Sequence, residues 1–263
     1  MKAIPTFLSV LAIGFLASHP SGTAREADPR DTLSIGLAIE PPGLDPTRGS
    51  SEAIGMVTYD NIYEGLMRLD EQGALKPLLA QDWHVSPDGL TYDFTLHDGV
   101  RFHDGTNLTC DSVKFSLLRA GATDSTNPHR TIFSQIADIS CPERLHVSIR
   151  LQHPYGSFLY QLAWNDAAIL SPASVAQNIS HPVGTGPFVF GEWRRGDHLT
   201  LTRNPDYWGA SPALRSVTFR VMPDPLSASN ALLAGELDAY PSFPSREILS
   251  RFVGNANLAV VRG

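Results

Sequence analysis

Hydrophobic and polar positions alternate most cleanly in the middle of the chain. Leu90 to Leu96 (LTYDFTL) and Leu145 to Leu151 (LHVSIRL) place apolar residues at every second position, the period of a half-buried strand. Trp83 to Ser86 precedes the first across the turn Pro87-Asp88-Gly89. Val100 to Phe102 reads as a brief strand between the Asp98-Gly99 and Asp104-Gly105 turns. Thr32 to Ile39 is a β-rich run ended by Glu40-Pro41-Pro42-Gly43, because proline cannot continue a ladder. Leu66 to Leu69 is a short strand. Phe188 to Phe190 and Leu199 to Leu201 form a hairpin across Gly196-Asp197, and Val217 to Val221 and Leu237 to Ala239 complete the strands.

Helical spacing appears in four places. Ser50 to Tyr63 carries Ile54, Val57 and Ile62, with Ser50 or Ser51 as cap. Thr109 caps a helix with Asp111 at its positive end and Val113 and Leu117 on one face. Tyr155 to Leu162 is a short helix, and Leu226 to Leu233 is stopped by Gly235. Ile132 to Ile136 fits either period. Strands and helices interleave without strict alternation, which predicts an α/β fold with a mixed sheet.

The first 24 residues follow another grammar. Lys2, the uncharged run Phe7 to Ala17 and the small residues Gly22-Thr23-Ala24 read as a secretory signal cleaved after Ala24. The run is too short to cross a bilayer, no cysteine marks a lipid anchor, and no later segment is apolar enough to span. The remainder, Arg25 to Gly263, is long enough for a sizeable core. The full chain is 42% hydrophobic and 18% charged, and its formal charge of -7 offers no basic stripe for nucleic acid. Cys110 and Cys141 are compatible with one disulfide in an oxidising compartment. Cys110 opens a helix and Cys141 precedes a strand, and nothing in the sequence brings them within bridging range. The expectation is therefore two small buried hydrophobes.

Four blocks in order resemble the extracytoplasmic binding proteins of peptide and nickel ABC importers, the bacterial extracellular solute-binding proteins of family 5. They are Pro42-Gly43-Leu44-Asp45-Pro46; Tyr63-Glu64-Gly65-Leu66 with Asp70, Gly73, Pro77, Leu79-Ala80 and Trp83; and Ser86 to Phe94 continuing through Gly99 to Gly105. The last comprises Gly184-Thr185-Gly186-Pro187-Phe188, Arg203 to Trp208 and Ala234 to Ala239. His97 and Cys110 depart from the family's usual Arg or Lys and Ala. The resemblance implies a periplasmic-binding-protein type II-like lobe, with subdomain Ia at about 31–52 plus 183–263 and an inserted α+β subdomain Ib at about 53–182. It also implies that the second lobe lies outside this chain, since the match stops near Leu258 to Val261.

By the same resemblance the protein captures a peptide or other small solute in the periplasm and delivers it to a permease and its ATPase. No cofactor, metal or catalytic residue is implied. A sensor or chaperone-like binder on the same fold is the alternative. A secreted hydrolase finds no GxSxG elbow, HExxH helix or paired-cysteine motif in its favour. Trp83, Tyr92, Phe94 and Phe102 read as core anchors, and His97-Asp98-Gly99 and His103-Asp104-Gly105 as solvated turns rather than metal ligands.

Ligands of open α/β sheets sit at the carboxyl ends of strands, where loops converge. That rule selects Glu40, Pro42 and Leu44 after the first strand. Thr185 and Gly186 are added on the return between subdomains. Trp164 and Asn165 offer a flat apolar face beside polar groups. His129-Arg130, after Asn127-Pro128, reads as an exposed loop; the alternative, implied by the resemblance to the nickel-binding branch, is a place near the arginines that help hold a metal-chelate ligand there.

Overall fold

A computed structural model describes residues 31–261 except 244, 246 and 253. The predicted signal segment lies outside the described residues. Two four-stranded sheets organise the rest. The first takes β1 (Thr32–Leu37), β10 (Ser216–Val221), β9 (His198–Arg203) and β8 (Phe188–Arg194) in that spatial order, with β1 parallel to β10 and the others antiparallel. The second is wholly antiparallel, in the order β4 (Ala80–Val85), β5 (Thr91–Leu96), β7 (His146–Leu151) and β6 (Ile136–Glu143). A small hairpin of β2 (Met67–Leu69) and β3 (Leu75–Pro77) leads into β4. The fold is mixed α/β, as the interleaved pattern predicts.

Alternation decides which face each strand buries. Tyr92, Phe94 and Leu96 of β5 and Val147, Ile149 and Leu151 of β7 all point inward, where α2 (Cys110–Gly121) covers β6 and β7 with Val113 and Leu117. Phe102 joins the same core, with Trp83 packed at its margin. A second core gathers Leu37, Leu44, Ile62, Tyr63, Phe188, Leu201 and Phe219 on the first sheet. Thr109 precedes α2 as read, and its N–H donates to Ser112 Oγ at 3.3 Å, whereas Ser51 stands before α1 without a side-chain cap bond. Asp224 caps α5 (Pro225–Ala234) by accepting from Ser227 N, and Gly235 ends it at φ 72°.

Several elements differ from the sequence reading. The helix expected to reach Tyr63 is only α1 (Glu52–Thr58), because Tyr59 is extended and Asp60 turns left-handed at φ 52°. Val100 to Phe102 forms no strand. Turns at both ends leave a tight loop, with Phe102 N donating to Thr106 O and only Arg101 bridging Asn107. Leu237 to Ala239 supplies one bridge, Ala239 to Ile35. The ambiguous segment splits into α3 (Arg130–Phe133) and the start of β6. The helix expected from Tyr155 to Leu162 shortens to α4 (Phe158–Gln161).

The cysteines are bonded rather than free. Cys141 lies within β6, and the packing of α2 on that strand brings its Cα to 5.6 Å from that of Cys110. Nor are the His-Asp turns merely solvated. His97 stacks on Trp208 at 4.9 Å, His103 Nε2 lies 2.9 Å from Gly186 O, and Asp104 accepts from Ser171, Ser174 and Thr106.

The two cores meet at Glu64, which is 2% exposed. Its carboxylate accepts from Tyr207 Oη (2.8 Å), Thr185 Oγ1 (2.8 Å) and Trp208 Nε1 (2.9 Å). Its carbonyl accepts from Ile169 N. A Cβ on Gly186 would collide with the Asn61 carbonyl, so glycine is needed where this return passes residues 61–62. Removing the carboxylate strands three donors. Glu64→Ala should lower the unfolding free energy by about 3 kcal/mol and Glu64→Gln by clearly less, as read from urea denaturation. The Cys110–Cys141 bond spans 31 residues of sequence. Loop-closure entropy assigns such a link about 3 to 4 kcal/mol, and the double Cys→Ala variant should show that loss under non-reducing conditions.

Candidate functional site

An open groove of about 620 Å³ runs along one side of the protein. The loop 46–52 and α1 form one wall, contributing Pro46, Ser50, Glu52 and Met56. Pro128 and His129 come from the turn before α3, and Ala163 to Asp166 follow α4. These segments are far apart in sequence, and each is fixed by specific bonds. Asp45, 4% exposed, pairs with Arg119 Nη2 at 2.8 Å, so the last turn of α2 holds the loop that carries Pro46. Arg119 also donates to Thr47 Oγ1. Tyr59 Oη donates to Ala163 O at 2.7 Å, tying α1 to the opposite wall. Burial raises the Tyr59 hydroxyl to about 12, with Asp60 adding to the rise, so it stays a neutral donor.

Asn127 does the same for the third segment. It is buried, donates from Nδ2 to Asp166 O at 2.8 Å, and accepts from His129 N at 2.8 Å. His129 Nδ1 then lies 2.7 Å from Asp166 Oδ2, and its ring meets Trp164 edge-on at 5.3 Å. Burial raises the Asp166 carboxyl, and the His129 hydrogen bond opposes that rise. His129 is thus a braced, part-buried wall residue, where the sequence pattern gave an exposed loop.

The residues singled out from sequence divide between groove and scaffold. Trp164, 50% exposed, and Asn165 line the groove. Glu40 accepts from Trp193 Nε1 and Gly196 N, which anchors the β8–β9 hairpin. Pro42 is exposed, and Leu44 is fully buried with its N–H on Ile179 O. Thr185 Oγ1 is bonded to Glu64, and Gly186 N donates to Ile62 O. None of these five is among the groove's lining residues. Glu52, Met56 and Tyr59 escaped the sequence reading, and His129 was read there only as part of an exposed loop. The tandem Asn127-Pro128-His129, an Asx turn delivering an imidazole, is the signal that could have found the last of them.

A second cleft, of about 490 Å³, lies beside the Glu64 junction and is lined by Asp60, Arg68, His97, Tyr207 and Trp208. Asp60 Oδ1 is buried there without a hydrogen-bond partner, and burial raises its carboxyl to about 6, opposed by Arg68. No helix among the described residues is long and apolar enough to cross a membrane.

The described residues thus form mixed sheets with an open groove, lined in part by Trp164 and His129 and braced on one flank by Asn127 and Asp166. The chain belongs to the bacterial extracellular solute-binding proteins, family 5, whose middle-region model matches residues 74–258. It is similar to the glutathione-binding protein GsiB of Pectobacterium atrosepticum, 34% identical over 94% of this chain and 47% of that protein. Among solved structures it resembles NikZ from Campylobacter jejuni in complex with Ni(L-His), with TM-score 0.78 and 28% identity, covering 87% of this chain and 46% of that one. It also resembles the oligopeptide-binding protein AppA from Bacillus subtilis in complex with a nonapeptide, with TM-score 0.77 and 27% identity over 85% and 46%. The chain spans about half the length of the relatives it matches.

The raised carboxyl of Asp60 has a defined consequence for stability. A group whose folded pKa lies above its unfolded value stabilises fully below the unfolded value and loses that contribution as pH rises through the folded one. The window runs from 3.8 to about 6. Asp60→Asn keeps a side chain that tolerates left-handed backbone. It should match the wild type near the lower limit and exceed it above the upper by about 1 to 2 kcal/mol, after allowing for screening at a part-exposed site. Urea midpoints at the two pH values check this.

Proposed function

We propose that this chain is the ligand-facing half of an ABC-importer substrate-binding protein, which captures peptides or related small solutes in the periplasm. It delivers them to a membrane permease driven by an ATPase, without transforming them. The observation that carries this reading is the groove itself: a half-exposed indole and a braced imidazole, set on segments that meet only in the folded lobe. The names of the relatives, a glutathione-binding protein and an oligopeptide-binding protein holding a nonapeptide, agree with it.

Export through a signal cleaved after Ala24 rests on the three-part pattern of the first residues and on a disulfide of the kind oxidising compartments permit. The division into subdomain Ia, at about 31–52 with 183–263, and Ib, at about 53–182, is supported by the two separate sheets, although Val57, Ile62, Tyr63, Ala168 and Leu170 of the Ib range pack in the first sheet's core. From the residues expected at the ligand, the reading retains Trp164 and Asn165 and adds Glu52, Met56, Tyr59 and His129.

The test is a titration of the purified chain with a dipeptide pool, followed by tryptophan fluorescence and by chromatography of the recovered peptides. Peptides should shift the emission and be recovered intact. Trp164→Ala should weaken the response about tenfold while moving the thermal midpoint by no more than about 2 °C, because half of the indole is already in water. Hydrolysed peptides, or an unchanged response in the variant, would reject the proposal.

A further inference from the structure

The cleft beside the Glu64 junction lies back to back with the groove. Consecutive residues divide between the two: Tyr59 lines the groove and Asp60 the cleft, and on β2 Leu69 lines the groove and Arg68 the cleft. Asp60 is held left-handed at φ 52°, with its N–H donating to Tyr63 O at 3.1 Å. Its carboxylate accepts no hydrogen bond among the described residues, and Oδ1 is buried. Buried polar atoms are nearly always satisfied within a fold, so this carboxylate at a cavity wall has acceptors that the fold does not use. Arg68 is exposed, and it too has no hydrogen bond or ion pair among the described residues. The two charges attract each other from the same cleft without meeting.

The rest of the wall is largely rings. His97 stacks on Trp208 at 4.9 Å, Tyr207 lies 5.7 Å from the same indole, and Pro187 adds apolar surface. Glu64 also lines the cleft, but its oxygens are taken by Tyr207, Thr185 and Trp208. The volume of about 490 Å³ is ordinary for a small-molecule site. A lone carboxylate would meet the charges of Asp60 and Glu64, and a lone amine would sit beside an unpaired Arg68. A zwitterion on an apolar body answers both charges at once. We propose that this cleft is a second solute site, for the zwitterion of an α-amino acid with an apolar side chain. Asp60 accepts from the ammonium, Arg68 donates to the carboxylate, and the side chain lies on the rings of His97, Tyr207 and Trp208. The inference stands apart from the groove's assignment, since none of these five residues lines the groove.

Both charged groups suit substitution, because neither side chain holds a bond of the fold. Asp60→Asn keeps a residue that accepts the left-handed turn, and Arg68→Gln keeps an exposed polar chain on a three-residue strand. Neither should lower the thermal midpoint by more than about 2 °C. Each removes one end of the zwitterion's contacts and leaves the other. Phenethylamine lacks the carboxylate of L-phenylalanine and 3-phenylpropanoate lacks its ammonium, so each variant has a probe that it should not weaken.

The experiment is an NMR titration of the purified chain near neutral pH with these three probes. It reads the Trp208 indole N–H, assigned through its contact with the His97 ring, and takes the Trp164 indole N–H as the reporter of the groove. L-Phenylalanine should shift the Trp208 signal and bind at least about tenfold more tightly than either single-charge probe. Arg68→Gln should weaken L-phenylalanine about tenfold and leave phenethylamine unweakened. Asp60→Asn should weaken L-phenylalanine about tenfold and leave 3-phenylpropanoate unweakened. Equal affinity for all three probes, unchanged binding in either variant, a shift at Trp164 without one at Trp208, or no shift at all would overturn the proposal. The groove's own test reads peptides at Trp164, so the two readings fail separately.

Discussion

A carboxylate buried with no ion-pair partner among the described residues joins the two cores of this protein. Glu64 is surrounded by three neutral donors, and they arrive from distant places: Thr185 on the return toward β8, and Tyr207 and Trp208 in the segment after β9. Burying the charge raises the carboxyl, and the three hydrogen bonds work against that rise. Such a site is satisfied only when all three donors are in place, so it specifies one docking of the first sheet on residues 61–65. The carbonyl of the same residue accepts from Ile169 N, and Ile169 follows directly on the segment that carries Trp164, Asn165 and Asp166. The position of the groove wall is therefore inherited from the junction.

The strands and turns were legible because their signals are local. Period-two alternation in Leu90 to Leu96 needs no partner to be read, and the Asp-Gly turns carry their own conformational requirement, with Gly89, Gly99 and Gly105 at positive φ. What failed was everything set by register or by distant packing. β6 is broken by irregular pairing between Ile136 and Asp138 and again between Ser140 and Glu143, which hides its alternation. The cysteine pairing depends on how α2 lies across that strand. The carboxylates that engage the histidines and the tryptophans lie beyond any local window: Asp166 is 37 residues from His129, and Glu64 is 144 from Trp208.

Apart from Pro46, which does both, the residues that identify the family are distinct from those named in the groove wall. Glu64, Gly186, Tyr207 and Trp208 belong to the diagnostic blocks, and their contacts are internal fastenings. Glu52, Met56, His129 and Trp164 lie between those blocks and face open space. A scaffold fixed by buried polar knots leaves such wall positions free to vary at little cost to folding, since exposed side chains contribute little to stability. Solved structures that this chain resembles hold a nickel–histidine chelate in NikZ and a nonapeptide in AppA.

The openness of the groove determines what its polar groups can achieve. Hydrogen bonds made to a wall that still faces water exchange with solvent and return little net free energy, whereas a mismatched charge or a lost acceptor is felt at once. A half-exposed indole adds attraction that tolerates many apolar bodies but does not choose among them. In this arrangement Trp164 presents an exposed apolar face, and the braced imidazole of His129 stands beside it. Asn127 and Asp166 matter because their hydrogen bonds hold the ring in one orientation, so the shape of this wall is set by buried polar groups behind it.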